Sequence, residues 1–439
     1  MLLDFKNHLD NHFPFLSEKK LLIAISGGID SIVLSHLLHE LKYDISFAHC
    51  NFKLRGKESD DDEIFITNLA KEFGVKLYVN HFETGIYAKK NKLSIQLAAR
   101  KLRYQWFKNV LKEDHFDFII TGHNTNDNLE TFLINLSRGT GLEGLIGIPP
   151  INQEVVRPLL AFSRENIFMY AIKNAITWRE DKSNASIKYI RNKVRHKVLP
   201  ILMEINPNLL DSFKNTLNHL NESQEIVNEK VDEVASEIIQ KDATGIFKIN
   251  IKALDKVSNS KAYLYQILKD FGFTEWNDVF DLLKAQSGKQ LFSREYRLIK
   301  DRKFLILIRI DVHSIDQTVH EIKENDKQIS KPIRLKLEEV AEEDEIEKTI
   351  IYVDKALLKF PLNVRKWEYG DHFSPAGMQG TKKISRFFKD RKLSILDKEN
   401  IWLLVSSDNE IIWVINYRQD QRFMTTKSSK NILKIATYK

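Results

Sequence analysis

The sequence has few of the features that mark secreted, disulfide-linked or membrane-spanning proteins. One cysteine, Cys50, excludes an intrachain disulfide and a metal site built from several thiolates. No apolar run approaches the length of a membrane-spanning helix. Charged residues interrupt the first ten positions, unlike the apolar stretch of a signal peptide. We therefore expect a cytoplasmic protein that makes no membrane contact.

Glycine and proline are scarce in some regions and concentrated in others. Ten of the sixteen glycines precede residue 148, and glycine is needed where backbone turns sharply or approaches a ligand closely. Residues 209–240 contain neither glycine nor proline, and their apolar residues recur mostly three or four positions apart. This spacing predicts helix. We expect the functional site in the first part of the chain and a helix-rich segment after it.

Strand-like and helix-like runs alternate through the first 140 residues. Strands are predicted at 21–25, 44–49, 75–79 and 116–120, and helices at 58–73, 94–112 and 124–136 and in the run that ends near residue 41. This alternation predicts an α/β fold in which helices cover both faces of a parallel sheet. Ligands bind at the carboxyl ends of the strands in such folds. Segments 26–31, 49–56 and 121–130 should therefore converge on one cleft.

The pattern changes twice along the chain, which suggests three domains. Residues 1–206 would form the α/β catalytic domain, and residues 207–312 a helix-rich domain. Short strand-like runs at 349–353, 401–405 and 411–415 predict a small, β-rich α+β domain over residues 313–439.

A glycine-rich loop joins the first predicted strand to the next helix. Amides at such a turn, with the positive end of the helix dipole, form a cradle for phosphate. No Lys-Ser or Lys-Thr follows the glycines, and the loop is not GxGxxG, which argues against P-loop and dinucleotide enzymes. The loop resembles the SGGxDS segment of ATP pyrophosphatases, which transfer AMP to a carbonyl oxygen. A turn that binds nothing is the alternative. We assign ATP binding to Ser26, Gly27, Gly28, Ile29, Asp30 and Ser31.

Two carboxylates and a histidine share one predicted helical face after the fourth strand. Asp127 lies four residues after His123 and three before Glu130, a spacing that brings their side chains together. Carboxylates suit Mg²⁺, which protein and phosphate groups often hold jointly, so we assign Mg²⁺ to Asp127 and Glu130. The alternative is that these acids only favour the positive end of the helix. The acidic run at 60–63 is interpreted as a solvated helix face.

Basic residues cluster in several segments, and the net charge is +7. Segment 188–197 holds five Lys or Arg and no acid, and segment 382–392 holds six with two phenylalanines. Basic residues interleaved with aromatic ones are typical of RNA-binding surfaces. For each segment alone an ordinary solvated face is the alternative, with Phe387 and Phe388 in the core. The candidate RNA-binding residues are Arg55, Lys188, Arg191, Arg195, Lys382, Lys383 and Arg386.

Taken in order, these segments resemble the tRNA(Ile)-lysidine synthases of the PP-loop ATP pyrophosphatase superfamily. The matching segments are 26–31, 49–56, 99–104, 121–131, 138–145, 157–160, 179–184, 191–196, 368–371 and 382–388. The resemblance is dense through residue 206 and thin from 207 to 350. Segment 394–400 departs from the family, which usually carries an arginine near here, so we assign it no role.

The resemblance implies a Rossmann-like catalytic domain and a ligase reaction. ATP, with Mg²⁺, would adenylate the position-2 carbonyl of the wobble cytosine in a tRNA(Ile) with a CAU anticodon. Free L-lysine would then displace AMP and form lysidine. His123 and Arg103 would stabilise negative charge during the first step, and Asp30 would organise the metal or the loop. The second and third domains would bind the tRNA, and a homodimer is one option.

Two other functions stay open at this point. Another PP-loop enzyme that modifies a tRNA base or forms an amide would share the loop. Enzymes that insert sulfur commonly use paired cysteines, however, and this chain has only Cys50. Glutamine-dependent amidation usually needs a nucleophilic cysteine in an added domain, which is absent here. Both requirements argue against these two reactions. A non-catalytic RNA-binding protein with a decayed site is the third hypothesis, and the intact loop argues against it.

Overall fold

A computed structural model describes residues 1–180, 190–241, 245–310, 318–344 and 347–438. The chain divides into two compact units, Met1–Asn228 and Glu229–Lys439. Among the residues in these ranges, no helix is long and apolar enough to cross a membrane.

The first unit is built on a six-stranded sheet in the order β3-β2-β1-β4-β6-β5. The strands are β1 (Lys20–Ala24), β2 (Asp44–Asn51), β3 (Leu77–His81), β4 (Phe118–Ile120), β5 (Ile151–Asn152) and β6 (Val155–Val156). Strands β3, β2, β1, β4 and β6 are parallel, and β5 pairs antiparallel with β6. In register, Leu22 of β1 lies between Ser46 of β2 and Ile119 of β4. The four predicted strands are confirmed.

Helices pack on both faces of this sheet, as predicted. The helices described in this unit are α1 (Leu2–His12), α2 (Ile29–Glu40), α3 (Lys57–Phe73), α4 (Thr84–Lys90), α5 (Ile95–Glu113), α6 (Thr125–Ser137), α7 (Leu142–Leu145), α8 (Arg164–Lys173), α9 (Ile190–Lys193) and α10 (Leu199–Ile205). Successive side chains of a strand point to opposite faces. Leu21 and Ile23 of β1 therefore join one core with Leu37 of α2, whereas Leu22 joins another with Phe107 of α5.

The strand order reverses between β1 and β4, and this reversal creates a crevice at their carboxyl ends. The two segments that leave these strands approach each other closely. A Cβ atom added to Gly122 would lie 3.0 Å from the carbonyl carbon of Asp30. Glycine at position 122 thus lets the segment after β4 lie directly against the start of α2.

A π-helical turn (Val194–Val198) joins α9 to α10, and α11 (Leu209–Ile238) carries residues of both units. The long helix predicted after residue 206 is therefore confirmed. Its amphipathic pattern matches its burial, because Phe213, Leu217, Val234 and Ile238 are buried while most positions between them face solvent.

The second unit contains antiparallel sheets and short helices. Its strands are β7 (Ile239–Lys241), β8 (Phe247–Asn250), β9 (Gln290–Phe292), β10 (Tyr296–Lys300), β11 (Phe304–Arg309), β12 (His320–Ile322), β13 (Gln328–Ile329), β14 (Leu335–Val340), β15 (Ile350–Asp354), β16 (Leu362–Lys366), β17 (His372–Phe373), β18 (Lys382–Lys383), β19 (Trp402–Val405), β20 (Ile411–Val414), β21 (Arg418–Gln419) and β22 (Ile432–Thr437). Its further helices are α12 (Ile251–Asp255), α13 (Ser260–Leu268), α14 (Trp276–Leu282), α15 (Ile384–Asp390) and α16 (Ile395–Asn400).

Four sheets organise these strands. Their orders are β7-β8-β11-β10-β9, β12-β16-β19-β20-β21, β13-β14-β22-β15 and β17-β18. The three strands predicted in the last part of the chain correspond to β15, β19 and β20. The sequence pattern does not predict the sheet that contains β7 to β11, because it indicates mainly helices in this part of the chain.

Candidate active site

The predicted phosphate loop connects β1 to α2 and is held by its own serines. The hydroxyl of Ser31 donates to the carbonyl of Gly28 at 2.9 Å and accepts the backbone N–H of Ser26 at 3.2 Å. Gly27 has a φ of +88°, a conformation that favours glycine. Helix α2 then begins at Ile29. The loop therefore has the strand–turn–helix form that a phosphate cradle needs, while its ATP role stays a prediction.

Asp30, the second residue of α2, connects this loop to the segment after β4. The side-chain amide of Asn124 donates to the Asp30 carboxylate at 2.9 Å. Asn124 also caps α6, since its side-chain oxygen accepts the backbone N–H of Asp127 at 3.0 Å. Burial and the nearby charge of Asp127 raise the pKa of Asp30 to about 6. The start of α2 and the start of α6 thus form one polar unit.

Asp127 and Glu130 are buried on α6 and face three arginines. Glu130 is 0% exposed and accepts hydrogen bonds from Nε of Arg191 at 2.7 Å and Nε of Arg195 at 2.6 Å. The Asp127 carboxylate lies 3.2 Å from Nη2 of Arg195 and 3.3 Å from Nη2 of Arg191. Nη2 of Arg164 lies 3.5 Å from the same carboxylate. Three guanidinium groups therefore face two carboxylates, and the carboxyl of Asp30 is close enough to act electrostatically on Arg164 and Arg195 as well.

These contacts join residues that the sequence pattern assigns to different ligands. Asp127 and Glu130 are predicted to hold Mg²⁺, and Arg191 and Arg195 to contact RNA, whereas the structure pairs them with one another. In the parts of the chain that the structure describes, no group of three or more His, Cys, Asp or Glu side chains could hold a metal ion. A metal here would therefore need water or phosphate oxygens as further ligands. Lys188, which is predicted to contact RNA together with Arg191 and Arg195, lies outside the described residues.

His123 follows β4 and is neutral. Its Nδ1 lies 3.0 Å from the hydroxyl of Thr121. Burial, together with the positive charges of Arg157, Arg191 and Arg100, lowers the pKa of His123 to about 4 against the opposing effect of Asp127. At neutral pH the ring can therefore take part in hydrogen bonds but carries no charge.

Arg103, also a predicted catalytic residue, lies beside the end of β2. Its guanidinium lies 5.2 Å from the centre of the Phe52 ring, and its positive charge acts on the partly buried thiol of Cys50. The described contacts do not bring Arg103 together with His123. Arg100, one turn earlier on α5, acts electrostatically on His123 instead. Its spacing from Arg103 is a usable signal, but the sequence alone does not show which of the two faces the site.

The acidic run at 60–63 is not the solvated face that its composition predicts. Asp62 is buried and accepts hydrogen bonds from Arg55 and Arg179. Glu63 is partly buried and accepts a hydrogen bond from the amide of Asn51 at 2.9 Å. The prediction is wrong for these two acids, because α3 turns them toward the segment after β2. Arg55 therefore pairs with a carboxylate of its own chain.

The basic segment 382–392 presents charge without exposed aromatic rings. Lys383 and Arg386 are exposed, and Lys382 pairs with Asp390 at 2.6 Å. Phe387 and Phe388 are buried, which confirms that they belong to the core. Any RNA contact by this segment would therefore rest on its charges.

Comparisons with known proteins match three regions of the chain to family models. These are a PP-loop domain over residues 1–202, a TilS substrate binding domain over 242–310 and a TilS substrate C-terminal domain over 362–435.

Curated relatives match almost the whole chain. A tRNA(Ile)-lysidine synthase of Bacteroides thetaiotaomicron is 37% identical over 97% of each chain. Relatives of the same name from Parabacteroides distasonis and Porphyromonas gingivalis are 36% and 34% identical, covering 99% and 92% of this chain and 99% and 91% of their own. With the glycine loop and its polar partners in place, the chain belongs to the tRNA(Ile)-lysidine synthase family.

Proposed function

We infer that the protein is an ATP-dependent ligase that joins lysine to the wobble cytosine of tRNA(Ile). The position-2 oxygen of the cytosine attacks the α-phosphate of ATP, and pyrophosphate leaves. An amine of lysine then forms a bond to carbon 2, and AMP leaves with the oxygen. The observation that carries this conclusion is the glycine loop, whose Asp30 accepts a hydrogen bond from Asn124. The loop occurs in a chain that aligns with the curated synthases over nearly its full length.

We propose that residues 26–31 bind the phosphates of ATP. The start of α2 offers backbone N–H groups and the positive end of the helix dipole. The arginines Arg164, Arg191 and Arg195 support this assignment, because their guanidinium groups would stabilise the charge on the departing pyrophosphate.

The assignment of Mg²⁺ to Asp127 and Glu130 is also a proposal. The donor set fits a hard cation, since both groups are carboxylates. Burial and the charge of Asp127 both raise the pKa of Asp30, and a cation at Asp127 would offset the second of these effects. Asp127 is the better placed of the two, because its side chain is 12% exposed whereas that of Glu130 is fully buried. When bound, Mg²⁺ would neutralise phosphate charge.

His123, Arg103 and Asp30 are proposed as the catalytic side chains, with Asp30 organising the metal or the loop. A neutral His123 would act by hydrogen bonding to the cytosine or to a phosphate oxygen, and not as a cation. Arg103 would act from the segment that follows β2. Lysine must attack as a neutral amine, so a carboxylate in the site must accept its proton.

The tRNA would be held by charged side chains of the segments that are predicted to bind it. Lys383 and Arg386 are exposed and suit phosphate contacts. We keep the boundaries 1–206, 207–312 and 313–439 as proposed domains, the last two binding tRNA. We also propose that the reaction takes place in the cytoplasm. A homodimer stays a prediction that light scattering would check.

One incubation tests the function. The protein is mixed with ATP, labelled lysine and two tRNA(Ile) transcripts that differ in having CAU or UAU as the anticodon. We expect lysine-dependent AMP release and label in the CAU transcript, with neither in the UAU transcript. Label in both transcripts, or AMP release without lysine transfer, would contradict the assignment and favour another PP-loop reaction.

A further inference from the structure

Asp62 is a buried carboxylate that has no role in the proposed reaction. It lies on α3, and its two oxygens accept hydrogen bonds from one arginine just before this helix and from another that is distant in sequence. Oδ1 accepts from Nε of Arg179 at 2.5 Å, and Oδ2 accepts from Nη2 of Arg55 at 2.8 Å. A carboxylate shared by two guanidinium groups fixes both of them, because charge-assisted hydrogen bonds are stronger than neutral ones.

Arg179 lies directly on the glycine loop. Its backbone N–H donates to the carbonyl of Gly27 at 2.9 Å. A Cβ atom added to Gly27 would meet the Cβ of Arg179 at 3.9 Å. The residue that Asp62 holds through its side chain therefore holds the loop through its main chain.

The Gly27 carbonyl and the Gly28 N–H belong to the same planar peptide unit and point in opposite directions. Fixing the carbonyl toward Arg179 consequently fixes the N–H on the other side. In the present structure this N–H has a long contact, 3.4 Å, with the hydroxyl of Ser26. Its direction determines whether it can contribute to a phosphate cradle at the start of α2.

We propose that Asp62 is a positioning residue for ATP, which acts by holding Arg179 against the glycine loop. The proposal rests on the proposed use of residues 26–31 for ATP. Through Arg55, the same carboxylate also joins the loop to the segment after β2. A positioning role predicts weaker ATP binding when the carboxylate is neutralised, and a nearly unchanged rate once ATP is saturating.

The test compares Asp62→Asn with Asp61→Asn in the full chain. Asp61 offers a matched control, because its side chain is 40% exposed and lies 3.8 Å from Nη2 of Arg179. We expect Asp62→Asn to raise KM for ATP roughly ten-fold, the loss of one charge-assisted hydrogen bond, with kcat within about two-fold. Asp61→Asn should leave both parameters within about two-fold of the wild type.

A double variant checks the route through Arg179. Arg179→Gln should raise KM for ATP to a similar extent, and Asp62→Asn combined with Arg179→Gln should raise it no further, because both changes break one link. The proposal would be overturned if the increase in KM for ATP in the double variant equalled the product of the increases in the two single variants. So would a loss in kcat with unchanged KM and a lower unfolding midpoint, since that result assigns Asp62 to stability alone.

Calorimetric titration of the full chain with ATP separates this proposal from the proposed function. Weaker ATP binding by Asp62→Asn supports the positioning role even if the wild type joins no lysine. Lysine transfer by the wild type, together with unchanged ATP affinity in Asp62→Asn, overturns the positioning role and leaves the function in place.

Discussion

Arg297 and Glu399 form a two-pronged ion pair in the second unit. Nη1 and Nη2 of Arg297 donate to Oε2 and Oε1 of Glu399 at 3.0 Å and 2.6 Å. Arg297 lies on β10 and Glu399 on α16, within the segment 394–400 that departs from the family pattern. The pair connects the region that matches the substrate-binding family model to the region that matches the C-terminal one.

We expect reversal of either charge in this pair to destabilise the second unit by about 2 kcal/mol, because both groups are largely shielded from solvent. Combining Arg297→Glu with Glu399→Arg should recover part of the loss. The exposed pair Arg309 and Glu295, 3.7 Å apart, is the control, and its reversal should cost less than about 0.5 kcal/mol. Denaturant unfolding measures both. Equal losses of stability for the two pairs would show that shielding from solvent does not strengthen the Arg297–Glu399 ion pair.

Glu130→Gln is expected to destabilise the first unit by about 3 kcal/mol. The change leaves Arg191 and Arg195 without their shared buried anion. The exposed Glu113 provides a control, since Glu113→Gln should be neutral within about 0.5 kcal/mol. Thermal unfolding checks the difference. An unchanged midpoint for Glu130→Gln would mean that these ion pairs do not form in solution.

Asp30 should make stability depend on pH in an unusual direction. Its pKa rises from 3.8 to about 6 on folding, so its charged form is unfavourable in the fold. The cost is fully present above pH 6 and fades as pH falls toward 3.8. We expect Asp30→Asn to be more stable than the wild type by about 2 kcal/mol at pH 8, and no more stable below about pH 4. Unfolding at a series of pH values tests this, and a difference that does not vary with pH would refute it.

Gly122→Ala should lower both stability and activity. The added Cβ would meet backbone atoms of Asp30 and Ser31 at 3.0–3.1 Å, which forces the starts of α2 and α6 apart. A loss of about 1–3 kcal/mol is expected from such crowding. At Gly85, in α4, no atom lies within 4 Å of the added Cβ, so Gly85→Ala should be neutral or slightly stabilising. Similar behaviour of the two variants would contradict the close approach.

Lys383→Glu with Arg386→Glu should weaken tRNA binding at least about ten-fold at physiological salt. The slope of log affinity against log salt should also become shallower by roughly one for each phosphate that the variant no longer neutralises. Lys427, also exposed, supplies the control, and Lys427→Glu should change neither quantity strongly. Fluorescence anisotropy with tRNA measures both. Unchanged affinity would remove this segment from the tRNA surface.

The first sheet can be predicted from the sequence because its signals are local. Apolar strands, glycine turns and helical spacing each lie within a few consecutive residues, and the observed strand order then reverses between β1 and β4. The strands β7 to β11 are harder to predict because several are short and only partly buried, as β8 is. Their alternation is weak beside neighbouring helical runs.

Contacts between residues that are distant in the sequence cannot be predicted from it, for a different reason. Helical spacing shows which side chains share a face, but not which other face they meet. Glu130 meets Arg191 and Arg195 across more than sixty residues. Asp62 offers a usable signal, since it continues the inward stripe of Ile66 and Leu69 on α3.

The pairing of three arginines with two internal acids also bears on turnover. Guanidinium groups lacking counter-ions would hold pyrophosphate tightly after the chemistry was over. Here Asp127 and Glu130 compete for the same cations, so the free enzyme is already neutralised in large part. If these arginines bind pyrophosphate as proposed, its release would exchange one set of ion pairs for another and return the enzyme to its starting state.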